Sequence, residues 1–97
     1  MTMKIGKLYS YSEPFLMLYP DKETAAKVRR ASGPRIALAP AYWSKRFGKP
    51  VSYLEPKTPL LVLSTDKKYV EVLAEDKRGW IIYQDWLDIK ELANEAA

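Results

Sequence analysis

The sequence predicts a small, mainly β domain, a barrel of short strands carrying one helical insert, and three observations point to that class. Short apolar or alternating segments recur at regular spacing from residue 51 onward, with polar turns between them. The 97 residues include seven Pro, seven Tyr and three Trp, types that favour turns and strands over a helical bundle. The segment 21–48 departs from this pattern and carries helix start and stop signals instead. Closing short strands into a barrel would also remove exposed strand edges. One hydrophobic core suits this length, so residues 1–97 form a single domain.

The elements follow in order. Lys4–Tyr11 alternates polar and apolar residues and reads as a strand, with Gly6 as a bulge. Glu13-Pro14 interrupts it, and Phe15–Tyr19 is a short, wholly apolar strand. Asp21 is placed to cap a helix through its carboxylate; Ala25, Ala26 and Val28 give that helix an apolar face, and Ser32-Gly33-Pro34 ends it. Arg35–Ala39 fits no element clearly. Pro40 suits the first position of a second short helix, Ala41–Phe47, which Gly48 would cap in the left-handed conformation. Trp43 and Phe47, four residues apart, share one face of it and anchor the insert, leaving Lys45 and Arg46 outward.

Strands are then expected at Val51–Leu54, Leu60–Thr65, Tyr69–Ala74 and Gly79–Tyr83, with turns at Glu55–Pro59, Asp66-Lys67-Lys68 and Glu75–Arg78. A single helical turn at Gln84–Leu87 and a closing strand or extension at Asp88–Leu92 follow.

Composition narrows the chemistry. The chain has no Cys and no His, which removes disulfides, thiolate nucleophiles, Ser-His-Asp and Cys-His sites, and nearly all zinc, copper and haem ligation. The carboxylates Glu71, Glu75, Asp76, Asp85 and Asp88 fall in turns or on strand faces, with nothing to pair two of them in a pocket. Gly33-Pro34 and Gly48-Lys49 lack the glycine spacing of a phosphate loop. These features imply a non-enzymatic protein, with no cofactor and no metal. Without an apolar stretch of spanning length or a secretory signal, the expected setting is cytoplasmic, with no membrane partner. The net charge of +4 is unevenly spread: residues 21–50 carry +6, whereas residues 51–97 carry −3.

From residue 51 onward the chain resembles the Src-homology-3 (SH3) fold. The run from Val51 to Leu63, then Tyr69-Val-Glu-Val72, then Gly79-Trp-Ile81 follows that family's order of strand, diverging turn, strand, distal hairpin, strand and closing turn. Lys7-Leu8-Tyr9-Ser10-Tyr11 looks like the Ala-Leu-Tyr-Asp-Tyr opening of those domains. The resemblance implies an SH3-like β-barrel, with the basic, partly helical insert 21–48 in its first long loop. It places Tyr9 and Tyr11 at the opening of a polyproline groove and Tyr69 at the groove Trp. Ile82 replaces the groove Pro and Asp85 falls where a late Tyr belongs, with Trp86 one step away, so the groove is not reproduced. Through Ala41-Tyr-Trp-Ser-Lys45, Val51-Ser-Tyr53 and Gly79-Trp-Ile-Ile82 with Asp85-Trp-Leu-Asp-Ile89, the whole chain resembles small uncharacterised SH3-like barrel proteins of marine cyanophages. That resemblance implies a host-cytoplasmic or virion setting and no particular activity.

Two binding modes compete. A protein partner, ranked first, would dock on an aromatic patch of Tyr69, Tyr83 and Trp86, since rigid aromatic side chains make good anchors. The alternative for Trp80 and Trp86 is that they cap the core. Nucleic acid, ranked second, would meet the basic insert: Arg29, Arg30, Arg35, Lys45, Arg46 and Lys49 on phosphates, with Tyr42 or Trp43 stacking on a base. A solvated helix face explains the same charges without a partner. A homo-oligomer packing through the insert is a third arrangement.

Overall fold

Two tight hairpins organise the C-terminal half. The strands β4 (Leu60–Asp66), β5 (Tyr69–Ala74) and β6 (Lys77–Ile82) form an antiparallel meander. Asp66 pairs with Tyr69 and Ala74 with Lys77, so only Lys67-Lys68 and Glu75-Asp76 make the turns. The computed structural model describes residues 3–11, 16–33, 39–84, 87 and 89–92. Both expected turns are tighter than the sequence suggests, and each sets its first residue, Lys67 or Glu75, at positive φ. A shift in register between Val62 and Ser64 leaves Leu63 as a bulge in β4.

On the other side of β4 lie β1 (Leu8–Tyr11) and then β7 (Ile89–Glu91), giving the order β6-β5-β4-β1-β7. Residues Ile5 and Gly6 form a turn rather than part of β1; Gly6 takes φ +82° there, and its N–H donates to the Val62 carbonyl at 2.9 Å. β2 (Leu16–Leu18) and β3 (Ser52–Leu54) pair with each other as a separate two-stranded sheet. The expected closed barrel is therefore corrected to a mixed α/β domain with an open five-stranded sheet among the described residues. β2 reaches the β6 edge through one bridge, in which Tyr19 and Trp80 exchange two 2.8 Å backbone hydrogen bonds. Directly after it, Pro20 and Asp21 turn the chain into a helix, so the ladder cannot lengthen.

The insert is helical, as its caps predict. α1 (Lys22–Ser32) begins at Asp21, whose Oδ1 accepts the Thr24 N–H at 2.6 Å, and ends at Gly33 with φ 77°. α2 (Pro40–Phe47) starts on its proline and ends at Gly48 in the left-handed conformation. Residues 34–38, including Arg35, lie outside the described residues, as do Phe15, Asp85, Trp86 and Asp88.

Alternation along the strands feeds two separate cores. Leu16 and Leu18 of β2 join Tyr9, Tyr11, Leu60, Val62, Val70, Val72, Ala74 and Ile81 in the first. Met17 and Tyr19 join Ala25, Val28, Trp43, Val51 and Ile82 in the second, against which Phe47, Tyr69 and Trp80 pack. The helices thus seal the far side of β5 and β6 and present their own outer faces to solvent.

Candidate functional site

α1 buries Thr24, Ala25 and Val28 and leaves Lys22, Glu23, Lys27, Arg30 and Ala31 exposed. α2 buries Pro40 and Trp43. Its C-terminal end is fixed by Ser44, whose Oγ accepts the Val51 N–H at 2.8 Å. Trp43 and Phe47 stack at 5.9 Å between ring centroids and 7° between planes. Over this pair lies the Arg46 guanidinium, 5.4 Å from the Phe47 ring centre and 5.8 Å from that of Trp43. Arg46 Nη1 also donates to the Tyr42 hydroxyl at 3.3 Å. Arg46 thereby rests over an aromatic base, which reduces the entropy lost when it grips a ligand.

A shallow cleft of about 310 Å³ opens between the two helices, lined by Lys27, Arg30 and Ala31 from α1 and Arg46 and Phe47 from α2. Among the described residues, three cations line it and no carboxylate does. Lys27 Nζ lies 3.1 Å from Glu23 on the exposed face of α1, a pair too solvated to hold it firmly. Arg30 and Lys45 have no ion pair among the described residues.

The nucleic-acid set expected from the sequence is thus partly assembled. Arg30 and Arg46 meet in the cleft, and Tyr42 stands beside Arg46, 44% exposed. Lys45 is exposed on the same helix. Arg29 is half-buried and does not line the cleft, and its Nε is shielded from solvent with no partner among the described residues. Lys49 instead bonds Asp21 Oδ2 at 3.1 Å. Trp43 is sealed in the second core and unable to stack on a base. The sequence reading did not single out Lys27, although its three-residue spacing from Arg30 signals a shared helix face, and it took Phe47 only as an anchor.

Of the expected aromatic patch, Tyr69 and Tyr83 are not brought together. Tyr69 packs against the second core and Tyr83 against the first, so they serve opposite sides of the sheet. Strand alternation causes this, because Tyr69 pairs with Ile82 and shares its face, whereas Tyr83 is one residue further on. Trp86 lies outside the described residues. Tyr9 and Tyr11, placed at a groove by the SH3 resemblance, are 1% and 2% exposed. Tyr9 Oη accepts the Lys4 N–H at 2.7 Å, and Tyr11 Oη donates to the Glu55 carbonyl at 2.6 Å. Burial, aided by the Glu55 charge, pushes the Tyr11 phenol up to about 12.

Two carboxylates, Glu71 and Asp66, tie elements together, whereas Glu75 and Asp76 are exposed in a turn and Asp85 and Asp88 lie outside the described residues. Glu71 accepts from Arg78 Nε at 2.7 Å and Ser64 Oγ at 2.8 Å, bonds that hold it below the usual carboxylate range. Asp66 is lowered by its hydrogen bond and ion pair with Lys22. Among the described residues, no three of the Asp and Glu side chains gather where they could hold a metal ion. Among the described residues, no helix is long and apolar enough to cross a membrane.

These features define a mixed α/β domain whose open antiparallel sheet carries a basic helical pair. No protein-family model, curated protein or solved structure matches the chain.

Proposed function

We propose that the protein is a non-enzymatic binding module whose helical insert engages nucleic acid. The observation that carries this reading is that Lys27, Arg30 and Arg46 line one cleft with Phe47, and no carboxylate among the described residues lines it. Cations grouped on one rigid surface release counterions when they meet a phosphate backbone, a gain that dispersed surface charges do not concentrate. Basic residues in the last turns of α1 and α2 also complement the helix dipoles, which accounts for their positions but not for their meeting. The protein-partner reading ranks behind, because Tyr69 and Tyr83 point to different cores.

The sheet itself is best read as an opened SH3-like arrangement. Support comes from its order, with the opening strand β1 between β4 and β7 and a meander of β4, β5 and β6. The viral or bacterial setting, in host cytoplasm or virion, rests on the cyanophage resemblance. Salt-titrated fluorescence anisotropy tests the function. Three phosphate contacts give a log–log salt slope of roughly −2 on a single strand, and the double variant Arg30→Glu, Arg46→Glu is expected to abolish binding. Unchanged binding by that variant, with its circular dichroism intact, refutes the reading.

A further inference from the structure

Resting on that reading, we infer that the insert takes single-stranded nucleic acid, with a phosphate in the α1–α2 cleft and the neighbouring base stacked on Tyr42. Tyr42 is a large aromatic side chain held in place without being buried. Its ring meets Trp43 edge-on, with centroids 4.9 Å apart and planes at 88°, and its hydroxyl is tied to Arg46. The residue remains 44% exposed. An exposed tyrosine fixed at both ends pays little further entropy when a flat partner stacks on it.

The surroundings match a nucleotide. Lys45 and Arg46 follow Tyr42 by three and four residues, so both flank it one helical turn on. Arg46 belongs to both parts of the site: it lines the cleft beside Lys27 and Arg30 and bonds the Tyr42 hydroxyl. One guanidinium therefore joins a shallow cationic cleft to a stacking platform. A single strand presents alternating phosphates and unpaired base faces to such a surface. A duplex hides its base faces within the stack and offers Tyr42 nothing to cover. An acidic protein would satisfy the cations and leave the ring idle.

The test compares three probes by anisotropy at low and moderate salt: an oligothymidylate, a duplex of equal length and polyglutamate. The oligothymidylate is expected to bind most tightly. Tyr42→Ala is expected to weaken it about 5- to 150-fold, the cost of one lost base stack, with the salt slope unchanged. Tyr42→Trp should restore binding, and Arg30→Ala should flatten the slope by about 0.7. Equal binding of duplex and single strand, with no effect of Tyr42→Ala, overturns the single-strand inference and leaves the nucleic-acid reading standing. Polyglutamate binding as tight as either nucleic acid, or no binding to any probe, overturns both.

Discussion

The outer face of the sheet divides into a covered half and a bare half. Tyr69, Trp80 and Ile82 pack beneath the helical layer. Further along the same face, Leu8 pairs with Leu61 and Leu61 with Leu73, an apolar row across β1, β4 and β5. Among the described residues the helices lie elsewhere, α1 mainly against β5 and β6 and α2 against β3; Leu8 is exposed, and Leu61 and Leu73 are half-buried. Between the halves runs a polar seam, where Glu71 bridges Ser64 and Arg78. The difference shows what seats the helices: β2 delivers Met17 and Tyr19 to the second core, where Ala25, Val28 and Trp43 bury against them. The exposed Lys22–Asp66 pair at the end of β4 adds little to that.

The sharpest way to break that comparison lies in two adjacent leucines of β4. Leu60 is fully buried in the first core, whereas Leu61 points to the bare half. Leu60→Ala is expected to cost about 2–5 kcal/mol, through lost transfer energy and the cavity left behind. Leu61→Ala should cost less than about 1 kcal/mol, since its side chain is already partly hydrated. Urea unfolding measures both. Equal losses would mean that the two faces contribute alike and that the bare half is sealed in solution.

Gly79 probes the attachment of β2 to the sheet. A Cβ there would stand 2.6 Å from the Tyr19 carbonyl oxygen and 2.7 Å from Leu18 Cγ. Gly79→Ala must therefore push β2 from the β6 edge, weakening the bridge that supplies both cores. A loss of about 1–3 kcal/mol is expected, as for other overpacked positions. Hydrogen exchange should show it first at the Tyr19 and Trp80 amides, which form the bridge. Uniform deprotection across the sheet would instead show that β2 and β6 open only with global unfolding.

Local chemistry made much of this architecture legible. The caps at Asp21, Gly33 and Gly48, the proline start of α2 and the β5 strand all follow from side-chain rules that act over a few residues. The failures have one cause. Which face each strand buries and where a ladder stops depend on partners far along the chain. Tyr9, Tyr11 and Tyr69 look alike as aromatic strand residues, yet two fill the first core and the third flanks the second. Closure looked natural from strand spacing, but it would require β2 to run on past Tyr19, where Pro20 and Asp21 start a helix. The site was half visible for the same reason. Arg30, Tyr42 and Arg46 stood out by type, whereas the partnership of α1 with α2 that brings Lys27 and Phe47 alongside them is tertiary.

Asp21 gives the gentlest test, because it fastens the helical layer without belonging to either core. Its carboxylate caps α1 through Thr24 and binds Lys49 between α2 and β3. Partial burial pushes its proton affinity up, but the bonds from Thr24 and Lys49 outweigh that and hold it below the usual carboxylate value. The folded state therefore resists protonation more than the unfolded chain does. The resulting stabilisation is fully present above the unfolded value of about 3.9 and is lost as pH falls through the lower folded value. Asp21→Ala should cost about 1 kcal/mol near neutral pH, the usual worth of an N-cap. The gap from the unsubstituted protein should then narrow in acid, as protonation removes the same bonds from both. Thermal unfolding at neutral and acid pH measures it. A gap that stays constant on acidification would show that the Asp21 charge does not fasten the helices to the sheet.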